Sequence, residues 1–298
     1  MAASAPQDST AYGLDLPSNL EKKLWFRAAM LVVVALVILL PRARGLGIYG
    51  TADEPNYLKY SASFYYLLHE GRYGETDLIV HPGVTDLWSG ALAFWLYLPD
   101  YVDDPQADFP LPDLYFKQII ERAEMNKEMM LALSRRFVVG FQTILLVAAF
   151  AFGWQAFGFS RALLGVLLVS FDPFFFANSR ILQPDGFLST AMFLGLVALL
   201  AYVRRRSKWA LLVSAVAAGL GILSKVPGVF LLPVAGLVLA ADWWWGQGTD
   251  RRQAKGLGRL LGVYLLWLAV VALTIFLLWP SMWVQPMASF QELLDFTL

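Results

Sequence analysis

The stretch FVVGFQTILLVAAFAFGWQAF, residues 137–157, contains no charged residue. Its length matches the roughly 20 apolar residues that a helix needs to cross the hydrocarbon core of a bilayer. Comparable apolar stretches occur at residues 24–40, 162–177, 187–203, 209–223, 226–241 and 260–278. The sequence therefore predicts an all-α, polytopic membrane helix bundle with seven spans.

The composition of the chain supports this prediction. Of its 298 residues, 58% are hydrophobic and 15% are charged, whereas ordinary soluble domains are about 45–50% apolar and about 25% charged. The 23 Lys and Arg residues balance 23 Asp and Glu residues, so the chain lacks the basic excess that nucleic-acid binding requires. Cysteine is absent, which excludes disulfides, cysteine zinc sites and thiol catalysis.

An eighth apolar stretch, residues 84–98, contains Asp86 and follows a Pro-Gly pair. Whether it crosses the membrane decides the side of every later loop. If it does not cross, the basic runs at residues 204–208 and 251–259 both face the cytoplasm, as short basic loops do. If it crosses, both runs lie outside. We therefore predict that residues 84–98 form an interface helix with both ends outside.

This topology defines the organisation of the chain. Residues 1–23 form a cytoplasmic N-terminal tail, and residues 24–298 form the transmembrane module. The first extracytoplasmic loop, residues 42–136, is long, and long loops in compact proteins are usually functional. Within it, residues 53–69 repeat apolar side chains with a helical period, which predicts an amphipathic helix on the outer membrane surface. Chemistry is therefore expected on the outer face.

Two acidic positions on this face are candidates for that chemistry. Asp53 and Glu54 follow the first span, and Thr51 and Glu54 have capping-box spacing, while Asp53 is a favoured helix cap. Spacing alone favours this structural interpretation over catalysis, although a carboxylate here can take a proton from an attacking hydroxyl. Asp185 follows Pro184 at the start of the fourth span, as an acid does in an ordinary first turn.

The basic residues on this face point to an anionic ligand. Arg180 and Lys225 are the basic residues of the short outer loops, and Lys225 lies in a Ser-Lys-Val-Pro-Gly break between two short apolar stretches. Such side chains can simply extend to the interface, but ionisable residues beside an intramembrane helix break are functional candidates. His81, in a His-Pro-Gly run, and Arg135 and Arg136 add positive potential. These cations suit a lipid-linked phosphate whose tail lies along the spans.

The order of these features resembles that of the GT-C membrane glycosyltransferases, specifically the protein O-mannosyltransferase and aminoarabinose-transferase-like branch. The resemblance covers residues 24–286. Its features are an Asp-Glu pair soon after span one, an amphipathic helix, a His-Pro run, an Arg before a helix-opening Asp, and a Gly-Ile-Leu-Ser-Lys-x-Pro-Gly break. It implies a glycosyltransferase that moves a sugar from a polyprenyl-phosphate donor to an acceptor hydroxyl on the extracytoplasmic face, with inversion. The acceptor would be a protein, a lipid or a glycan.

The resemblance also implies roles for individual residues. Asp53 would be the catalytic carboxylate that positions or deprotonates the acceptor hydroxyl, and Glu54 would support it. Asp185 would orient Arg180 in the donor-binding region. Cations facing the donor phosphate would stabilise the charge that develops on it, a large catalytic contribution in such sites. The cations with this role would be Arg180, Lys225 and His81.

The chain departs from the family pattern at two places. Relatives of the aminoarabinose branch have Lys-Pro-Pro where this chain has His-Pro-Gly, so His81 binds phosphate only if the bound anion keeps its imidazole protonated. Family members also continue with several spans beyond the position of Leu298, so C-terminal spans are expected to be missing. Some GT-C branches need a divalent metal held by acidic residues, whereas the branch resembled here generally does not, so the resemblance leaves a divalent metal open. The sequence has no His-rich or closely spaced carboxylate cluster that indicates one.

Two other functions remain as alternatives. In a transporter or flippase of a lipid-linked sugar intermediate, the intramembrane charges and the helix break at Lys225 would line a pathway. Such proteins often contain two related halves, whereas this sequence has no internal repeat and its charges gather on one face. The second alternative is a membrane scaffold without catalysis. Replacing Asp53 with Asn separates these alternatives from the enzyme, because only the enzyme loses sugar transfer.

Overall fold

The computed structural model describes residues 23–79, 82–103, 117, 121, 126–246, 256–289 and 291. Within these residues every regular element is a helix. The α-helices are α1 (Leu24–Arg42), α2 (Glu54–His69), α3 (Val84–Tyr97), α4 (Lys127–Phe157), α5 (Phe159–Phe171), α6 (Pro173–Asn178), α7 (Pro184–Arg205), α8 (Lys208–Ser224), α9 (Leu231–Gly246), α10 (Leu257–Leu278) and α11 (Ser281–Val284). Short 3-10 helices cover Tyr73–Glu75, Pro99–Asp103 and Val226–Phe230.

Several helices have the length and composition of membrane spans. In the described part of the chain, five segments are long and apolar enough to cross a bilayer: Leu24–Arg42, Lys127–Phe157, Pro184–Arg205, Val226–Trp245 and Leu257–Leu278. The shorter apolar helices α5 and α8 occupy the other two stretches that were predicted to span. The predicted all-α, polytopic membrane bundle is therefore confirmed.

Helix α4 extends well beyond its apolar stretch. Its 31 residues measure about 47 Å at 1.5 Å per residue, whereas the hydrocarbon core is about 30 Å thick. The helix begins after Asn126, whose side chain accepts a 2.7 Å hydrogen bond from the backbone N–H of Met129. The added N-terminal turns contain Arg135 and Arg136, so α4 carries these two cations into the region of the long loop.

The predicted span at residues 162–177 is two helices rather than one. Helix α5 ends at Phe171, and Asp172 has an extended conformation with φ −56° and ψ 126°. Proline disfavours a helical conformation in the residue before it, so Pro173 ends α5 at this point. The side chain of Asp172 then caps α6, because it accepts a 2.8 Å hydrogen bond from the backbone N–H of Phe175.

The start of α3 is attached to the end of α8. Gly83 precedes α3 with a φ of 52°, a left-handed conformation that glycine adopts without steric cost. Its N–H donates to the carbonyl of Ser224 at 3.1 Å, and the hydroxyls of Thr85 and Ser224 lie 2.9 Å apart. Gly83 therefore lies directly beside the helix break that contains Lys225.

Helices α2, α3 and α4 share one apolar core. Leu58, Phe94 and Met130 come from these three helices and are fully buried in it. Helices α2 and α3 approach closely, since a Cβ atom on Gly90 would overlap the side chain of Ser61. The stretch at residues 84–98 is thus helical, as predicted, and it packs firmly against the rest of the protein.

Candidate functional site

Asp53 stands at the N-terminal end of α2 with an exposed side chain. It occupies the N-cap position, but its carboxylate accepts no capping hydrogen bond. Its described polar neighbour is Gln183, whose Nε2 lies 3.5 Å from Oδ2, at the limit of a hydrogen bond. The interpretation of Asp53 as a side-chain helix cap is therefore wrong, and its carboxylate is exposed.

Glu54, the next residue, is fully buried and holds several donors. Its Oε1 accepts from Nε of Arg135 at 2.7 Å and from the N–H of Leu182 at 2.8 Å. Its Oε2 accepts from Nη2 of Arg135 and from the N–H and hydroxyl of Thr51 at 2.9 and 3.1 Å. The bond to the Thr51 N–H is one half of the predicted capping box. Glu54 thus joins the start of α2 to α4 and to the loop before α7.

Burial by itself raises the pKa of Glu54, but the hydrogen bonds from Arg135 and from the backbone of Thr51 and Leu182 lower it by more. The net pKa lies below its ordinary value, and the carboxylate is ionised. Because both carboxylate oxygens already accept hydrogen bonds from within the protein, Glu54 fixes the position of the start of α2.

Arg135 is the ion-pair partner of Glu54 and is only 1% exposed. Besides Glu54, its Nη1 donates to the carbonyls of Leu46 and Tyr49. The guanidinium also lies over the ring of Tyr49, 5.1 Å from the centroid. Because Leu46 and Tyr49 lie between α1 and α2, Arg135 orders the segment that connects these helices. Arg135 was expected to add positive potential to the outer face, but its charge is buried and paired with Glu54. The neighbouring Arg136 is exposed.

Arg180 closes the end of α1. Its Nε donates to the carbonyl of Arg42 at 2.9 Å, and its Nη2 donates to the carbonyl of Arg44. The last carbonyls of a helix lack partners within the helix, and Arg180 supplies donors to this region. The guanidinium also lies 5.3 Å from the ring centroid of Phe176. The expectation that Asp185 orients Arg180 is therefore wrong, because backbone carbonyls hold this side chain.

Asp185 pairs with Lys225 instead. The Nζ atom of Lys225 lies 2.8 Å from Oδ1 of Asp185, and the two side chains are 33% and 46% exposed. Lys225 follows α8 in an extended conformation, and Asp185 lies in the first turn of α7. Exposed ion pairs contribute about 0–1 kcal/mol. A phosphate can therefore replace Asp185 as the partner of the ammonium group at little cost.

Tyr57 lies in α2, one turn after Asp53, and the charges of three acidic residues act on its hydroxyl. Burial raises the pKa of its hydroxyl, and the negative charges of Asp86, Asp53 and Asp185 raise it further. Three carboxylates from α2, α3 and α7 therefore act on one phenol. Tyr57 was not predicted from the sequence, although its i, i+4 spacing from Asp53 indicates a shared helix face.

Asp86 is a second residue of this region that was not predicted from the sequence. Its side chain is fully buried, and in the described part of the chain neither carboxyl oxygen has a hydrogen-bond partner. Burial raises its pKa well above the ordinary value, and the charge of Asp185 adds to this effect. The available signal was an acid in the first turn of an otherwise apolar helix.

The remaining predicted position, His81, lies outside the described residues. The described end of the same run, Gly83, contacts Ser224 beside Lys225. Among the described residues, no group of three or more His, Cys, Asp or Glu side chains is arranged to hold a metal ion.

A family model described as dolichyl-phosphate-mannose-protein mannosyltransferase matches residues 111–286, more than half of the chain. The matched range contains the charged residues Arg135, Arg180, Asp185 and Lys225 of this region. It begins after Asp53, Glu54 and Asp86. A comparison with curated proteins found no match.

Proposed function

Because the chain belongs to the dolichyl-phosphate-mannose-protein mannosyltransferase family, and is thus a membrane glycosyltransferase of the GT-C type, we propose that it uses a polyprenyl-phosphate sugar as donor. The sugar passes to an acceptor hydroxyl on the extracytoplasmic face, with inversion at the anomeric carbon. The observation that carries this proposal is the pairing of neighbours at the start of α2. Asp53 has an exposed carboxylate without a capping role, and Glu54 beside it is fully anchored.

In this mechanism Asp53 accepts the proton of the acceptor hydroxyl as its oxygen attacks the anomeric carbon. The new glycosidic bond forms on the face opposite the leaving group. The bond between the anomeric carbon and the phosphate oxygen breaks, and its electron pair leaves with polyprenyl phosphate. Glu54 supports this step indirectly, because its bonds to Arg135 and Leu182 hold the helix end that carries Asp53.

The donor phosphate is bound by the cations around the α7 start. Lys225 is partly exposed and pairs with a half-exposed carboxylate, so an incoming phosphate can take the place of Asp185. Arg180 is held at the C-terminal end of α1 by two carbonyls, and its charge acts on the same region. Fixed positive charge near the leaving phosphate stabilises the transition state. His81 is the third proposed cation.

The proposed orientation follows from the two ends of α7. Asp185 lies in its first turn, and Arg204 and Arg205 lie in its last turn. Since short basic loops remain in the cytoplasm, we assign the Arg204 end to the cytoplasm and the Asp185 end to the outside. The N-terminal tail of residues 1–23 is then cytoplasmic, and residues 24–298 form the membrane module.

Replacing Asp53 with Asn tests the catalytic assignment. Purified protein in vesicles would receive radiolabelled polyprenyl-phosphate sugars and a set of peptide, lipid and glycan acceptors. We expect sugar transfer to fall about 10²–10⁴-fold, the usual contribution of a general base, with donor binding and thermal stability unchanged. Glu70→Gln, an exposed acid at the other end of α2, is the matched control and should keep full activity.

Unchanged transfer by Asp53→Asn would remove this residue from the mechanism. Transfer by no donor and acceptor pair, combined with movement of the labelled lipid across the vesicle membrane, would instead support the flippase function.

A further inference from the structure

A second feature lies at the opposite end of the helices that form the site. Between α7, α8 and α10 there is a groove with a volume of about 690 Å³. Its lining includes Tyr202 at the end of α7 and the first half of α8, beginning at Lys208. Lys225, at the other end of α8, is separated from Lys208 by 17 residues of helix, or about 25 Å. The groove therefore opens toward the membrane surface opposite the candidate active site.

The packing of α8 against α10 explains the position of this groove. The two helices touch closely near their outer ends, where a Cβ atom on Gly219 would lie 2.7 Å from Cβ of Thr274. Toward their other ends, larger side chains stand between them. The floor of the groove is formed by Leu211, Ala215 and Trp267, and Trp267 is held by a 3.1 Å hydrogen bond to Ser214. The floor is thus apolar, and the indole of Trp267 is oriented by its hydrogen bond to Ser214.

The mouth of the groove is basic. Lys208 and Arg259 are both exposed there, and no acidic partner pairs with either in the described part of the chain. Arg206, also at the mouth, is already neutralised by Asp242, with two contacts of 2.6 Å. Among the described residues, Lys208 and Arg259 are therefore two positive charges without an acidic partner above an apolar floor. The indole of Trp209, 72% exposed beside them, is typical of a side chain at headgroup level.

We propose that this groove binds an anionic phospholipid of the leaflet opposite the active site. The headgroup phosphate lies between Lys208 and Arg259, and an acyl chain lies against Leu211, Ala215 and Trp267. Charge complementarity selects an anion at the mouth, and the apolar floor selects a ligand with a hydrocarbon chain. Basic pockets between membrane helices on the cytoplasmic side bind anionic lipid headgroups for these reasons. The proposal does not depend on the donor or acceptor of the transfer reaction.

The test compares lipid binding by purified full-length protein in detergent, measured by native mass spectrometry. The probes are phosphatidylglycerol, phosphatidylcholine and polyprenyl phosphate. Each Lys or Arg side chain beside an anionic headgroup strengthens lipid binding, and removing two of them should weaken that binding roughly 30-fold. We therefore expect Lys208→Gln with Arg259→Gln to bind phosphatidylglycerol about 30-fold more weakly than the wild type. Lys23→Gln with Arg161→Gln removes two exposed charges outside the groove and should bind like the wild type.

A steric variant tests the groove independently of charge. Val263 lines the groove and is partly exposed, so Val263→Trp should fill it and reduce phosphatidylglycerol binding while the cations remain. Thermal unfolding of each variant confirms that it is folded. Equal binding of phosphatidylcholine and phosphatidylglycerol by the wild type would overturn the proposal, as would unchanged binding by the double groove variant. Polyprenyl phosphate binding that is stronger than phosphatidylglycerol binding and that the double groove variant abolishes would also overturn it, because it would identify the carrier lipid as the occupant of the groove.

Discussion

Replacing Glu54 with Gln keeps the shape of the side chain but removes its charge and one of its two acceptor oxygens. In the wild type, Oε1 and Oε2 accept from Arg135, Leu182 and Thr51. The Gln amide nitrogen would face donors that it cannot accept from. Arg135 would then be a guanidinium that is 1% exposed and has lost its counter-charge.

The expected magnitude follows from this burial. Removing one partner of a buried ion pair costs about 3–5 kcal/mol, because it leaves an uncompensated buried charge. At roughly 2–4 °C per kcal/mol, Glu54→Gln should lower Tm by about 6–20 °C. Removing both charges leaves no unpaired ion, so Glu54→Gln with Arg135→Met should be less destabilised than the sum of the two single variants.

The measurement is thermal unfolding of detergent-solubilised protein, followed by fluorescence-detected size exclusion. Arg136→Gln, an exposed cation next to Arg135 in sequence, is the matched control and should shift Tm by about 1–2 °C at most, as most surface substitutions do. A Tm for Glu54→Gln equal to that of the wild type would refute the reasoning. Strict additivity in the double variant would show that the two side chains are not coupled.

The same pair predicts a pH dependence with a definite sign. The net pKa of Glu54 is lowered in the folded protein, relative to about 4.3 in an unfolded chain. The stability from its ionised form is therefore present above about pH 4.3 and is lost as the pH falls through the lower folded pKa. In Glu54→Gln this part of the acid-induced loss of Tm should be missing.

Other substitutions test the remaining features. Burial raises the pKa of Asp86, so its ionisation opposes folding as the pH rises above about 3.9. Asp86→Asn should therefore raise Tm over that of the wild type by more at pH 8 than at pH 5. An equal increase in Tm at the two pH values would contradict this. Gly90→Ala should cost about 1–3 kcal/mol by overpacking, and adding Ser61→Gly should restore much of the lost Tm, since the two side chains would exchange places; no recovery would show that another contact is responsible. The chain has no cysteine, so Asp100→Cys and Arg161→Cys each introduce a single thiol. An impermeant maleimide should label Asp100→Cys from outside the cell and Arg161→Cys only after permeabilisation. The reverse labelling pattern would show that the topology is inverted.

Much of the architecture follows from local properties of the sequence. Whether a stretch enters the bilayer depends on the sum of the transfer free energies of its own residues. An uncharged run such as residues 137–157 can therefore be recognised as a membrane span from its own sequence. The helix stop at Asp172 was also visible in principle, because Pro173 acts on its direct neighbour. The family was recognisable for a similar reason, since the order of short motifs along the chain carries the resemblance.

The partners of the charged side chains were not predictable in this way. Arg135 is 81 residues from Glu54 in the chain, and Lys225 is 40 residues from Asp185. These pairs form because α2, α4, α7 and α8 end at one level of the bundle, and the choice among nearby cations is made by side-chain reach and by competing carbonyls. Arg180 was expected to pair with Asp185, five residues away, but it bonds to the carbonyls of Arg42 and Arg44.

The amino-acid sequence alone thus establishes the membrane bundle, its apolar helices and the segments that carry the site. The tertiary structure decides which acids and cations are free to act. It anchors Glu54 and Arg135 to each other, leaves Asp53 exposed, and buries Asp86 where the charge of Asp185 acts on it. The physical reason is that membrane insertion is a local sum over consecutive residues, whereas desolvation and pairing of a charge depend on every element that packs around it.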